Sequence, residues 1–447
     1  MGFLTTIPAF LVALGLLIVV HELGHFWMAR WCGVKVLRFS VGFGRPIARW
    51  VRGADRTEWV VAVVPLGGYV KMLDERETES GPIDPSELPR AFNRQPVSRR
   101  AAIVAAGPVA NLLFAVLIYV VLNLIGTTDI RAVVGQPEAG TPAAVAGLAE
   151  GDQVLRMGDR PIRSWNDLRW SVLQQASDHA RPQLVVRGSN GAERTLQLDL
   201  GGVDTDRLDS DWFTRIGIHP GDPEPIIRAL APGDPAAMAG LQVGDRIVSI
   251  DADAVKSAAD VSRRVRAAPH RRLQLQIERN GRELQIPVTP VEAVVSGQHI
   301  GRVGIDFRDP ILVRDGPAQA VAHAVGRTWE TSWFSLRMFG RMIIGRASWH
   351  NLSGPVTIAD VAGQSARIGL FAYMSFLALV SISLGVLNLL PVPVLDGGHL
   401  LYYAIEVVTG SPPSPTWLEL GQRVGIGLLV VLTALALYND LSRLLFQ

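Results

Sequence analysis

Expensive residues cluster near the start of the chain. His21-Glu22-Leu23-Gly24-His25 interrupts an otherwise uncharged apolar run from about Phe3 to Met28. On a helix, positions four apart differ by only about 40° in direction, so both imidazoles face one way. Two neutral imidazoles at that spacing can share one Zn2+, and the glutamate between them is close enough to take a proton from an attacking water. A five-residue pattern can arise by chance, and a lone buried histidine is often only a hydrogen-bonded core residue. Two histidines and a glutamate together inside an apolar span are costly unless paired or bound to a metal. A catalytic zinc takes three protein ligands and keeps one position open, so a third ligand must come from elsewhere.

A late segment can supply it. Asn388-Leu389-Leu390-Pro391-Val392-Pro393-Val394-Leu395-Asp396-Gly397-Gly398-His399 ends a long apolar run that begins after Arg367. Asp396 is an acid at the end of a span and needs a partner. The prolines break helical hydrogen bonding before it, and Gly397 and Gly398 are expected to allow a tight turn after it. Irregular backbone at membrane depth is tolerated only inside protein or against a wet cavity, which suits an active site. Asp396 and His399 are both open as the third ligand. Alternatively, the two simply cap the end of a span.

These residues need membrane-spanning elements to hold them. The 447 residues are 48% hydrophobic, and the mean hydropathy of +0.24 is high for a soluble chain of this length. Four apolar stretches carry the excess: Phe3 to Met28, Ala101 to Ile125, the run between Arg367 and Asp396, and about Val424 to Tyr438. The first is read as a retained span. It lacks a basic start and a small-residue cleavage site, and it runs directly into the histidine motif. The segment from Arg30 to Arg100 is rich in Lys and Arg, whereas nothing before His21 is basic. The expected orientation therefore puts that segment inside and both termini outside, together with a long polar insert from about Asp129 to Pro317. A formal charge of +2 is too mild to suggest nucleic acid. With Cys32 as the only cysteine, an intramolecular disulfide is excluded.

Two further regions have organisation. Glu58 to Met72 is rich in β-branched and aromatic residues, with a turn expected at Pro65 to Gly68. Within the insert, Gly140-Thr141-Pro142-Ala143-Ala144-Val145-Ala146-Gly147-Leu148-Ala149-Glu150-Gly151-Asp152 repeats as Gly233-Asp234-Pro235-Ala236-Ala237-Met238-Ala239-Gly240-Leu241-Gln242-Val243-Gly244-Asp245. The spacing is that of tandem domains rather than a solenoid, and the pattern resembles bacterial PDZ domains. Such domains capture extended peptides by strand addition. Ile216-Gly217-Ile218 is the expected start of the peptide-binding loop of the second copy. After the insert, Ala318 to Arg346 is amphipathic, with Trp329, Trp333 and Phe334 beside Arg327, Arg337 and Arg341. That composition suits a helix at the membrane interface. Asn351-Leu352-Ser353-Gly354-Pro355 is expected to turn the chain towards the third span.

Taken in order, these motifs resemble the site-2 protease family of intramembrane zinc metalloproteases, nearest its regulator-of-sigma-E branch with two PDZ domains. The resemblance covers almost the whole chain. It implies that His21, His25 and Asp396 bind one zinc, that Glu22 activates water, and that Asn388 and Pro393 help position substrate. Gly107-Pro108-Val109-Ala110-Asn111 in the second span resembles a further family segment, and its small residues suit close helix packing. The resemblance also implies a membrane-associated β-hairpin, with Gly67 and Gly68, that presents substrate near the site. The expected fold is a polytopic α-helical membrane protein with four transmembrane helices, that hairpin, and an inserted tandem pair of α+β PDZ domains. The expected boundaries are a membrane portion over 1–128, a first PDZ domain over 129–214 and a second over 215–292. A linker with the interfacial helix fills 293–366, and a second membrane portion spans 367–447. The implied substrates are a single-pass protein of anti-sigma-factor type, already trimmed by another protease, and signal-peptide remnants. The implied place is the bacterial inner membrane, with the PDZ pair on the periplasmic side and the site opening towards the cytoplasm. A membrane-anchored PDZ scaffold without activity is the rival reading. It gives no use to four costly groups in lipid. A metal transporter would place ionisable groups on more spans than are seen here.

Overall fold

The computed structural model describes residues 3–76, 83–178, 180–203, 212–295, 298–345 and 354–446. The chain divides into a unit built from 1–126 and 314–446, and an inserted unit over 127–313. Four helices among the described residues are long and apolar enough to cross a membrane: Thr5–Trp31, Val97–Ile125, Leu370–Leu389 and Thr416–Ser442. A helix suits that environment because it satisfies its backbone polar groups internally.

Helix α1 (Phe3–Trp31) leads into two long antiparallel strands, β1 (Val36–Arg52) and β2 (Thr57–Met72). The hairpin is more folded than the sequence suggests. Phe39 pairs with both Val70 and Trp59, and Trp59 pairs in turn with Trp50. The bends fall where β1 carries Gly42 and Gly44 at φ 92° and 88°, and around Gly67 in β2. A tight reversal at Gly53 to Arg56 closes the outer pair, with both ends at positive φ. The expected turn at Pro65 to Gly68 is thus one of several reversals. Phe26 on α1, Phe39 and Trp59 meet with ring centroids 4.7 to 5.7 Å apart, and with Val34, Val36 and Ile103 they form the core that seats the hairpin on α1. Helix α2 (Val97–Ile125) follows.

The insert contains two copies of one fold. In the first, β3 (Thr127–Ile130) and α3 (Pro142–Val145) precede a sheet of β4 (Gln153–Met157), β5 (Arg160–Pro161), β6 (Gln183–Arg187) and β7 (Glu193–Gln197). Its order is β5-β4-β6-β7, and α4 (Trp165–Ser177) packs on it. After α5 (Trp212–Ile216), the second copy has β8 (Ala229–Leu230), α6 (Pro235–Met238) and a sheet of β9 (Arg246–Ile250), β10 (Asp253–Ala254), β11 (Leu273–Arg279) and β12 (Arg282–Val288). The order is the same, β10-β9-β11-β12, with α7 (Ala258–Arg266) in the place of α4. Ser164 and Ser257 cap α4 and α7 by accepting from Asp167 N and Asp260 N. Then come β13 (Val291–Val295), β14 (Gln298–Arg302), β15 (Ile305–Asp306) and β16 (Pro310–Val313), with β15 paired to β8 and β16 to β3.

The cores end later in the chain than the expected boundaries. Trp212, Ile216 and Ile218 are buried in the first core, past residue 214, and Val303 and Phe307 in the second, past residue 292. Each copy is completed by a segment that follows its own sheet. In the first, Val134 pairs with Pro220 and Gly135 N donates to His219 O. In the second, Ile305 pairs with Leu230. The completing segments also repeat in sequence, Arg215-Ile216-Gly217-Ile218 against Arg302-Val303-Gly304-Ile305, with Gly217 and Gly304 at φ 82° and 78°. Ile216-Gly217-Ile218 therefore belongs to the first copy, not the second.

Beyond the insert, α8 (Pro317–Ile343) packs along α2 and α10, with Trp329 and Trp333 exposed on its outer face; Arg346 and the Asn351-Leu352-Ser353 turn lie outside the described residues. Then come α9 (Pro355–Ile368), α10 (Leu370–Leu389), α11 (Asp396–Thr409) and α12 (Pro415–Phe446). The start of α9 is capped from a distance. Asp440 on α12 accepts from Gly354 N, Val356 N and Thr357 N at 2.9 to 3.1 Å. Those N–H groups have no partner within α9, and leaving them bare in an apolar setting would cost several kcal/mol in all.

Candidate active site

The helical spacing of α1 brings His21 and His25 edge to face, with ring centroids 4.8 Å apart. Their Nε2 atoms are 3.2 Å apart. Asp396 Oδ2 lies 3.1 Å from His21 Nε2 and 3.5 Å from His25 Nε2. No other group of three metal-ligating side chains of this kind occurs among the described residues. His399, the rival ligand, is outside it; one turn along α11, its ring meets Tyr402 edge-on instead.

The donors fit zinc. Ligand atoms about 2.0 to 2.1 Å from a tetrahedral zinc sit about 3.3 Å from each other, and the three observed separations bracket that value. Asp396 Oδ2 is buried without a hydrogen-bond donor, as expected of an oxygen meant for a cation. His25 Nδ1 lies 2.8 Å from the carbonyl of Ile103. A proton on Nδ1 donates there and leaves the Nε2 lone pair facing the other two donors.

Asp396 reaches this point through a break in the chain. Helix α10 stops at Leu389, Leu390 to Leu395 is not helical, and Asp396 opens α11. Val394 sits at φ 92°, a strained conformation for a β-branched residue and of the kind held at functional sites. Gly397 and Gly398 do not form the expected turn. They lie in the first turn of α11, where a Cβ would come within 2.2 Å of Leu390 O and 2.5 Å of Val392 O. Their smallness lets the connection fold tightly over the helix it leads into. Arg100 on α2 pairs with Glu406 on α11 at 2.7 Å, both nearly buried, which ties the helix bearing Asp396 to α2.

Close approach by α2 completes the cluster. A Cβ on Gly107 would lie 2.3 Å from His25 Nε2 and 2.8 Å from His21 Cε1. One on Gly24 would lie 2.3 Å from Ala106 O. The Gly107 to Asn111 segment therefore packs, as small residues between spans do, but it packs against the imidazoles themselves. Asn111 is fully buried with its side chain at His21 Nδ1. The small residues of this segment suggest packing and nothing more; the signal for its second role is a polar residue inside an apolar span.

The structure brings some proposed positioning residues to the centre and not others. Gly68 on β2 is close enough to Glu22 that a Cβ there would sit 3.0 Å from Glu22 Cγ. Gly67 packs under Phe43. Asn388 is in the last turn of α10 and Pro393 in the connection, where Pro393 O lies against Gly425 of α12. Ile216, Gly217 and Ile218 lie in the insert.

A zinc-ligand set built from two histidines of a membrane-spanning helix and an aspartate at the start of α11, with a glutamate beside it, defines a membrane-embedded zinc metalloprotease. The sequence matches peptidase family M50 over residues 9–432, and the chain belongs to that family. A relative from Ralstonia nicotianae is 46% identical over 457 residues, covering 98% of each chain. The regulator of sigma-E protease RseP of Escherichia coli is 41% identical over 455 residues, covering 99% of this chain and all of that one. The regulator of sigma E protease of Salmonella typhi is 40% identical over the same length. The protein is thus a multi-pass intramembrane zinc metalloprotease of the RseP type.

Proposed function

We propose that this protease cuts single-pass membrane proteins within the bilayer, after another protease has trimmed their outside domain, in regulated intramembrane proteolysis. The observation that carries the reading is the convergence of His21, His25 and Asp396 beside Glu22 on a helix long enough to span a membrane. An anti-sigma factor is the first substrate to test, given the names of the relatives in E. coli and Salmonella; signal-peptide remnants are the second.

Bound zinc supplies Lewis acidity to the scissile carbonyl and to the attacking water. Glu22 takes the proton from that water and passes it to the leaving amine. Gly68 lets β2 close onto Glu22, and the unwound backbone of an extended substrate pairs with the edge of β2. Asn388 and Pro393 position the same segment. Ile216-Gly217-Ile218 and Val303-Gly304-Ile305 are equivalent loops of the two PDZ copies. The pair restricts access by untrimmed substrates. Basic residues between α1 and α2 put that segment in the cytoplasm of a bacterial cell, with both termini and the insert in the periplasm.

The test is cleavage of a trimmed single-pass substrate by purified wild type and by Glu22→Gln. Loss of a general base costs about 10²- to 10⁴-fold, so the variant should cut that much more slowly while keeping its zinc. Equal rates would remove Glu22 from the mechanism.

A further inference from the structure

Both zinc-ligand imidazoles have a second ring nitrogen, and α2 meets both of them. His25 Nδ1 faces the backbone carbonyl of Ile103 at 2.8 Å. His21 Nδ1 faces the side-chain nitrogen of Asn111 at 3.3 Å. The first contact fits a metal ligand and the second does not. If His21 Nε2 gives its lone pair to zinc, its Nδ1 must carry the proton. Nδ1–H and the Asn111 NH2 are then two donors face to face.

A half-turn of the amide about its last bond resolves the conflict. The oxygen and nitrogen of an Asn amide are nearly the same size, so their places are set by hydrogen bonding rather than shape. With the nitrogen towards His21, Asn111 Oδ1 is buried without a partner. The orientation with the nitrogen towards His21 thus leaves the oxygen unsatisfied, so the imidazole decides between the two. Turned round, Oδ1 accepts from His21 Nδ1–H. The residue is well anchored for such a role. Its backbone carbonyl accepts from Ser381 Oγ on α10 at 2.7 Å, and it is fully buried.

We infer that Asn111 is a positioning residue that fixes the tautomer of His21 by accepting its Nδ1–H, doing for His21 what the Ile103 carbonyl does for His25. The inference rests on the zinc reading of the site. Partners of this kind raise the basicity of the ligand and hold its ring, and losing one lowers metal affinity about 10- to 100-fold. The role also explains why a polar side chain is kept where α1, α2 and α10 meet.

The experiment measures zinc affinity of the full-length protein in detergent by competition with a chelator, together with the unfolding midpoint of the zinc-free form. Two variants pull in opposite directions. Asn111→Leu has a similar shape and no acceptor; it should bind zinc about 10- to 100-fold more weakly, with a zinc-free midpoint at or above that of wild type. Asn111→Asp keeps an acceptor and loses the donor; it should bind zinc at least as tightly as wild type despite burying a charge. A purely packing role predicts the reverse order, with leucine tolerated and aspartate harmful. If Asn111→Leu fails to fold, Asn111→Asp still decides: a tenfold loss of affinity in that variant overturns the inference. Wild type that bound no zinc would overturn the metal reading itself. Wild type that bound zinc no more tightly than Asn111→Leu would overturn only the role given to Asn111.

Discussion

Asp245 and the Oδ2 atom of the partly buried Asp396 are both withdrawn from water, yet they are handled in opposite ways. Asp245, in the second PDZ copy, is met by the chain's own donors. Arg279 reaches it with Nε and Nη2 at 2.6 and 2.7 Å, and Gln242 N donates at 2.8 Å. Asp152 repeats the arrangement in the first copy with Ala149 N and Arg194, although that arginine comes from β7, whereas Arg279 comes from β11. Asp396 instead shares its corner with two imidazoles, and its buried oxygen lacks a hydrogen-bond donor. A buried acid fully served by its own chain is part of the framework. One left facing other lone pairs is waiting for a cation. The same residue type thus holds a fold together in the insert and makes a reaction centre in the membrane unit.

The same substitution at both sites is the sharpest way to break that comparison. Asp396→Asn should weaken zinc binding by about 100-fold or more, beyond the loss expected for a supporting residue, and cleavage should fall with it. The zinc-free protein should lose no stability, and calorimetry after chelation checks this. A marked drop in the unfolding midpoint would mean Asp396 is framework after all. Gly107→Ala comes next. It forces a methyl against His25 Nε2, and a ligand displaced by about 1 Å can cost about 10²-fold in rate; overpacking adds about 1 to 3 kcal/mol of destabilisation. Normal zinc content and rate in that variant would show that α1 and α2 are not held as closely as described.

Asp245→Asn should behave the other way, leaving zinc affinity untouched while destabilising its own copy. Breaking a buried pair costs about 3 to 5 kcal/mol, and partial exposure of Arg279 brings the expected value towards about 2 kcal/mol. Hydrogen exchange on β9 and β11 of the full chain would locate the loss. The smallest effect is with pH. Burial pushes the Asp245 carboxyl up, but Arg279 and the Gln242 N–H outweigh it and hold it below the ordinary carboxylate range. A depressed carboxyl gives stability that is present above its unfolded value, about 3.9, and is lost as pH falls through the folded one. Exchange protection of the second copy should hold from neutral pH down to about 4 and weaken below that, and Asp245→Asn should flatten the dependence.

Much of the centre is legible in the sequence because its signals are local. The His21 and His25 spacing needs only one helix, and an acid after a long apolar run marks Asp396 by cost alone. The choice between Asp396 and His399 is not local. It depends on how α11 starts, and that is set by a six-residue break, Leu390 to Leu395, with Val394 strained and two glycines folded under it. The PDZ boundaries differ from the expected ones for a related reason. The visible repeat marks the middle of each copy, whereas the segment that completes it comes after the sheet, so Ile216 and Ile218 fall on the other side of the division.

By itself the sequence determined the chemistry available: two imidazoles and a carboxylate able to hold zinc, a glutamate beside them, four spans and a duplicated insert. Composition and periodicity are enough for that, because an apolar span makes each polar residue in it conspicuous. Only the tertiary structure decided which atoms meet. It brought Asp396 across to α1, let Gly107 pass within touching distance of the imidazoles, sent Asp440 to cap α9, and set Asn111 against His21. Those contacts join residues far apart in the chain, where packing of one helix on another, rather than any local pattern, fixes the neighbours.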